Sequence, residues 1–460
     1  MLGIALLVGG PVVIALLAFG KAFFLNIYSS QSAGTPISIG NTSLNDVRIT
    51  KIAIGTAPDY WVDPVAYLNA NMDNTEDSGA VGFVVPVTHQ TTVPAGYTGI
   101  YTAQDLDNVR NSSATNFILM NDIDLAGMDW LPITRANTGV GLPGGIVQGA
   151  FDGNGYLIMN MKVYINEVDS PGNSTIYGGG LFGTFYRNST IKNIGIVNAN
   201  VEVLISKSNA NVKVGGIVGY ISGGSIENCF FSGGITVKSL NQNASGAAYI
   251  GGIVGEPSGT TVIDCANFGI VQSSAASLFG LDLGGIVGFN TSSSGEIYNC
   301  RNEGAIVVSS FGSSYVGGIV GHSNLQGTHI NNCVNLADID FVNDSDGCFG
   351  GILGRGIAGG VSSCFNTGNI NVSTRYSSYS GGIIGESSAT NCYNKGLVTS
   401  NRGAGGVVGI GSSSTCYNSG LVNGEPVGGV AGRCFTGIIE NCYYLNSLAS
   451  TAIGSKSLSA

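Results

Sequence analysis

The string Gly-Gly-apolar-apolar-Gly recurs nine times, starting at Gly179, Gly215, Gly251, Gly284, Gly317, Gly350, Gly381, Gly405 and Gly428. A chain written this way can bury its apolar runs only by stacking one copy on the next. Eight cysteines follow these strings, 11 to 16 residues after the first glycine: Cys229, Cys265, Cys300, Cys333, Cys364, Cys392, Cys416 and Cys442. Two residues beyond most of them stands an asparagine: Asn267, Asn302, Asn335, Asn366, Asn394 and Asn418. A third apolar segment comes next, such as Ile235–Val237, Ile306–Val308 or Ile370–Val372.

Each period of 23 to 36 residues therefore holds three short strands and no helical spacing, the pattern of a parallel β-helix. The expected fold is all-β: a right-handed parallel β-helix over 97–446, three short strands per coil. At about 4.8 Å per rung, about eleven coils make roughly 50 Å of solenoid. Identical side chains then stack on themselves, while glycines allow sharp corners and positive φ. Coils shorten toward the C-terminus, which places insertions between the third strand and the next Gly-Gly, as at Lys238–Ala248 and Ser273–Leu281.

Composition narrows the function. Charged residues make up 10% of the 460, against about 25% in an ordinary domain. The 18 Lys and Arg form no cluster within a net charge of −10, so no footprint for nucleic acid exists. Only His89, His322 and His329 could serve as imidazole bases. No Cys-x-x-Cys pair suggests zinc, and no Gly-x-x-x-x-Gly-Lys string suggests a phosphate loop. The sequence thus points to no catalytic, metal or cofactor residue. Among carboxylates, Asp122, Asp124, Asp129 and Asp152 lie closest together, in a context of turns and caps; a carbohydrate-active enzyme would have to use them.

The string Gly-Gly-Ile-Val-Gly followed by Ile-x-Asn-Cys-x-Asn-x-Gly resembles the GLUG repeat. The opening stretch is similar to the start of such arrays, with Tyr101-Thr-Ala-Gln-Asp-Leu106, Asn121-Asp-Ile-Asp-Leu125, Trp130-Leu-Pro-Ile133 and Phe151-Asp-Gly-Asn-Gly155. The resemblance implies a repeat found in bacterial surface adhesins and in non-catalytic regions of IgA-specific metalloproteases. The His-Glu-x-x-His motif of those proteases is absent from this sequence.

Residues 1–28 form an apolar segment whose only charge is Lys21, long enough to span a bilayer as a helix. It weakly resembles the N-terminal helix of type IV pilin-like subunits, although Pro11 would break a regular helix. Three readings follow: a helix bundled with its copies in a filament core, a membrane anchor, or a retained signal peptide. Residues 29–96 read as a β-rich neck and 447–460 as a tail.

The functional expectation is a structural subunit of an extracellular, pilus-like surface filament serving adhesion. It would be inserted in a membrane before assembly and polymerised with its own copies through 1–28. The alternative is a monomeric membrane-anchored adhesin for a glycan or host protein. The residue after the ladder cysteine is aromatic in the last four coils: Phe365, Tyr393, Tyr417 and Tyr443. Facing out, these form a contact strip; facing in, they are core. Strict strand alternation cannot place both the cysteine and the residue three before it inside, so both readings stand. Rung-equivalent thiols read as a buried ladder, since stacked copies point the same way and fit disulfide geometry poorly. Cys348 and Cys434 lie outside that register, so a disulfide would use one of them, and Cys434 with Cys442, in a single coil, is the expected pair. Sequons for N-glycosylation occur at Asn41, Asn111, Asn173, Asn188, Asn243, Asn290, Asn343 and Asn371.

Overall fold

The computed structural model describes residues 12–18, 21–27 and 89–456, the last without 134–148, 167–174, 187–188, 206–210, 240–245, 276–279, 292–294, 311, 325–329, 344–345, 358–359, 376–377, 435–437, 446–448 and 450. Two units divide it, Met1–Pro86 and Val87–Ala460. Most of the neck expected at 29–96 lies outside the described residues.

In the first unit, β1 (Val12–Ala18) pairs antiparallel with β2 (Lys21–Ile27), from Val12 opposite Ile27 to Ala18 opposite Lys21. In these described residues the chain is extended, where a helix across 1–28 was the expectation; the remainder of 1–28 lies outside the described residues. Val12, Val13, Ile14, Phe23 and Phe24 are β-branched or aromatic and favour strand. Among the described residues, no helix is long and apolar enough to cross a membrane.

The second unit opens with a short strand, Thr98–Ile100, and one turn of helix, α1 (Ala103–Asn108). Thr102 caps the helix: its hydroxyl accepts the Asp105 N–H while the Asp105 carboxylate accepts the Thr102 N–H at 3.0 Å. This reciprocal cap satisfies two donors that a helix start otherwise leaves open. Leu106 on α1 is fully buried and joins the core at its first rungs.

From there the chain winds as a parallel β-helix with three faces. One coil shows the plan. Its first face is Ser314–Gly317, its second Val320–Ser323 and Ile330–Asn331, its third Val334–Asn335 and Ile339–Asn343. Each piece pairs in parallel with its equivalent in the coils before and after: Val316 with Leu283 and Phe349, Ile330 with Ile297 and Val361, Ile339 with Ile306 and Ile370. The first face is a nine-stranded sheet whose strands match the nine Gly-Gly strings. The coils also shorten on the second and third faces, beyond the one corner expected. Val218–Glu227 and Phe230–Ser239 are long strands, whereas the coil of Gly405 has only Val408–Ile410, Ser413–Ser414, Tyr417–Asn418 and Val422–Asn423.

The core is a set of columns. Ile217, Ile253, Ile286, Ile319, Ile352, Ile383, Val407 and Val430 all sit inside the Gly-Gly corner with at most 1% exposure. Close approach, more than positive φ, requires the glycines here. A Cβ on Gly318 would lie 2.0 Å from the Gly351 carbonyl oxygen and 2.4 Å from Asn335 Cγ.

Opposite that corner runs an asparagine column. Asn267, Asn302, Asn335, Asn366 and Asn394 each donate through Nδ2 to Oδ1 of the next asparagine at 2.8 Å, ending on Asn418. Each Nδ2 also reaches the carbonyl two residues on, for example Asn335 to Ala337 at 2.8 Å. Buried amides are thus satisfied in two directions, along the stack and around the turn.

Candidate functional site

The alternation problem has a backbone answer. The residue before every ladder cysteine has positive φ, from +50° to +54°: Asn228, Asp264, Asn299, Asn332, Ser363, Asn391, Thr415 and Asn441. One left-handed residue turns the chain, so the side chain three before the cysteine and the cysteine itself both face inward. Ile297 and Cys300, like Ile330 and Cys333, are at most 1% exposed. Asn and Asp tolerate this conformation better than other non-glycine residues. Their amides add outer rungs, with Asn193 donating to Asp152, Asn228 to Asn193, and Asn299 to Asp264 at 2.9 to 3.1 Å.

None of the ten cysteines is joined in a disulfide. Most ladder thiols are buried, and each donates to the carbonyl two residues back at 3.2 to 3.4 Å, as Cys333 does to Asn331. Burial pushes the thiols of Cys229, Cys300 and Cys364 well up. The disulfide expected between Cys434 and Cys442 is absent. Cys442 belongs to the inward column and meets Ser413 Oγ at 3.4 Å, whereas Cys434 ends a second-face strand opposite Lys456. Cys434 thus ends one second-face strand, and Cys442 lies past the next, at the turn before the third face.

Turning the chain before the cysteine also turns the next side chain outward. Phe365, Tyr393 and Tyr417 are half-buried on the third face, and Tyr443 is 67% exposed. The strip is therefore on the surface. Its rings stack on each other, Phe365 on Tyr393 at 5.0 Å and 12°, Tyr393 on Tyr417 at 5.3 Å and 15°. Stacking rings cover one another's faces, so the strip offers outward edges and hydroxyls. Tyr393 Oη meets Ser419 Oγ at 2.7 Å. Earlier in the same column Phe230, Ala266, Arg301 and Val334 are buried.

The sequons divide three ways. Asn111 is exposed, and Asn371 is half-buried with its amide donating to Asp340 Oδ1 at 2.9 Å. Asn290 is 1% exposed and closed to a glycosylating enzyme. Asn343 lies on the last residue of a third-face strand. Asn41, Asn173, Asn188 and Asn243 lie outside the described residues.

The opening carboxylates hold turns. Asp124 accepts the Ala126 N–H and the Asn160 amide, Asp122 the Leu157 N–H, and Asp152 the Asn154 N–H and the Asn193 amide, all between 2.8 and 2.9 Å. Asp129 pairs with Lys162 at 3.4 Å. Among the described residues no group of His, Cys, Asp and Glu could hold a metal.

A second surface column was missed by the reading of the sequence. The residue two before Gly-Gly and the residue just after the string face each other outside the corner. On the first face run Lys213, Tyr249, Asp282, Tyr315, Cys348 and Tyr379. On the second run Tyr220, Glu256, Phe289, His322, Arg355 and Glu386. Lys213 pairs across it with Glu256 at 2.7 Å and His322 Nδ1 with Asp282 at 3.2 Å, while Arg355 pairs along the second-face column with Glu386 at 3.2 Å. Rings fill between them, with His322 against Phe289 and Tyr315 at 4.8 and 4.6 Å and Lys213 over Tyr220 at 4.1 Å. Cys348 falls outside the thiol ladder because it belongs here, donating to Glu386 Oε2 at 3.3 Å. The available signal was compositional: few charges in the chain, yet a recurrence of them beside the Gly-Gly string.

Burial raises the carboxyls of Glu256 and Asp282 above their ordinary range even beside Lys213 and His322. A carboxyl raised on folding binds its proton more tightly folded than unfolded. Its stabilising contribution is full below the unfolded value and is lost as pH rises through the folded one. Thermal unfolding should therefore show a midpoint that rises from pH 7 toward pH 5, and Glu256→Gln should flatten that rise. A midpoint falling over the same interval would contradict this environment.

The GLUG motif matches residues 210–238, which run from the first face through the Gly-Gly corner to the third. A candidate immunoglobulin A1 protease from Bacteroides ovatus is similar in structure, at 25% identity and a TM-score of 0.45, over 63% of this chain and 80% of that one. An IgA1 protease is similar over 74% of this chain and 21% of its own, at 10% identity and a TM-score of 0.34. No curated protein matches. Residues 210–238 match the GLUG motif, and the Gly-Gly string within them, Gly215–Gly219, is the one that recurs along the β-helix.

Proposed function

We propose that this chain is a non-catalytic surface protein, structural and adhesive, working outside the cell. The observation that carries the reading is the use made of its polar side chains. Asparagine amides, thiols, opening aspartates and corner ion pairs are spent on holding one coil to the next, which builds a rod with long, regular outer columns. Exposed Asn111 is the sequon best placed for a glycan if the producing cell attaches one.

In its finer form, the proposal is a homopolymer: copies join through residues 1–28, held at a membrane before assembly, with the β-helix displayed outside. The hairpin of β1 and β2 changes how that joining would work. A two-stranded sheet has open edges that template pairing with another chain, so strand addition takes the place of a helix bundle. Electron microscopy of the full chain and of a chain lacking 1–28 tests this. Regular fibres from the full chain and dispersed rods from the shorter one are expected. Fibres from both would move assembly to the β-helix. Dispersed rods from both would leave the other adhesive form, a single anchored copy that binds a glycan or protein.

A further inference from the structure

We propose that Arg433 is a binding point for the acidic group of a glycan, a carboxylate or sulfate presented on a sugar chain. The proposal deepens the adhesive reading and rests on it. Along the corner columns each charge up to Glu386 has an opposite partner: Lys213 has Glu256, His322 has Asp282, Arg355 has Glu386. Arg433 continues the second-face column through Ile410, yet among the described residues it has no ion-pair partner. Its Nε is buried without a hydrogen-bond acceptor. The side chain as a whole is only half-buried, so an anion can approach the guanidinium from solvent and make the charge-assisted bonds that no described ion-pair partner supplies.

The notch that admits the guanidinium is built by sequence. In the coil after Tyr379 the first-face position is Gly403, with φ +91° and no side chain, and a Cβ there would lie 3.9 Å from Arg433 Nε. Arg433 folds into this gap, its Cζ 5.6 Å from the centre of the Tyr379 ring. Pro426, joined to Glu425 by a cis peptide, lines the other side, within 4.0 Å of the same Cβ position. A guanidinium presents paired N–H donors that match the oxygens of a carboxylate or sulfate. Ile410 and Pro426 border the guanidinium with uncharged surface, against which the carbon face of a sugar ring can pack; the choice of a glycan over an acidic peptide comes from the adhesive reading.

The test uses the full chain and three immobilised oligosaccharides of equal length: a polygalacturonate fragment, a heparin fragment and a neutral chitin fragment, with polyglutamate as the peptide probe. Retention on one or both acidic sugars is expected, weakened by salt. Arg433→Gln should lower that affinity at least tenfold with an unchanged melting curve, while Tyr443→Ala leaves it intact. Polygalacturonate against heparin identifies carboxylate or sulfate as the group. Equal binding by Arg433→Gln overturns the site but keeps the adhesive reading. Preference for polyglutamate, or for chitin, overturns the acidic-glycan assignment. Retention on none of the four probes overturns the site, and the adhesive reading falls with it only if the chain also fails to adhere to cells.

Discussion

Ile319→Lys is expected to cost about 4 kcal/mol, because it leaves a charge inside the stack with no partner. Ile319 has no exposure, and its backbone is held from both sides: its carbonyl accepts from Ile286 and its N–H donates to Ile352, each at 3.0 Å. The side chain has aliphatic neighbours in the column above and below and no path to water. Deleting residues 381–404 removes far more chain and should do far less harm. The cut joins Ser380 to Gly405, and the register already pairs Gly381 with Gly405, Ile384 with Val408, Asn394 with Asn418 and Val398 with Val422. Every removed side chain is replaced by its equivalent one rung on, so a shorter solenoid closes over the gap. Denaturant unfolding with circular dichroism separates the cases. The deletion should keep a cooperative β transition, and the point change should lose most of its stability. Equal losses would mean that the register is not what holds the chain.

Asn335→Leu is the second large effect, at about 3 kcal/mol. The change removes the acceptor for Asn302 Nδ2 and the donors to Asn366 Oδ1 and the Ala337 carbonyl. All three are buried, and a polar atom left unpaired there costs about 1–3 kcal/mol. A single removal also breaks a chain of mutually polarised amides. Because Asn335 and Asn366 share a bond, the double change Asn335→Leu with Asn366→Leu should cost about 1 kcal/mol less than the sum of the two singles. Additive losses would show that the amides act independently and that the ladder contributes only through its turns.

Much of this architecture was legible in the residues, and the reasons differ by element. The Gly-Gly string, the cysteine and the asparagine recur because stacking forces equivalent positions into one environment, and Asn267 to Asn418 do form the corner column that their spacing suggested. The parity of the cysteine strand was hidden by a single backbone angle. Its trace in the sequence is the run of Asn, Asp, Ser and Thr just before each cysteine, residue types of which Asn and Asp accept positive φ most readily. Cys434 and Cys442 are near in sequence, which says nothing of the faces they point from. The N-terminal segment is apolar without a decisive period, so length favoured a helix, while Val12 to Ile14 and Phe23 to Phe24 carry the strand preference that the hairpin uses. The corner ladder escaped notice because its members share no residue type. A column of Lys, Tyr, Asp and Cys is united by position alone.

The central claim is that columns of side chains stay in register across the whole stack, and one distance tests it. Thr236, Gln272, Val307, Asp340, Asn371 and Thr399 are successive partners on the third face. Spin labels carried by noncanonical residues at Thr236 and Thr399, with Cys434 and Cys442 changed to serine, would stand five rungs apart. Pulsed electron resonance should then give a narrow distribution centred at about 24 Å, five times the sheet spacing. A broad distribution, or a centre beyond about 40 Å, would show that these positions do not lie on one stacked face and would contradict the account.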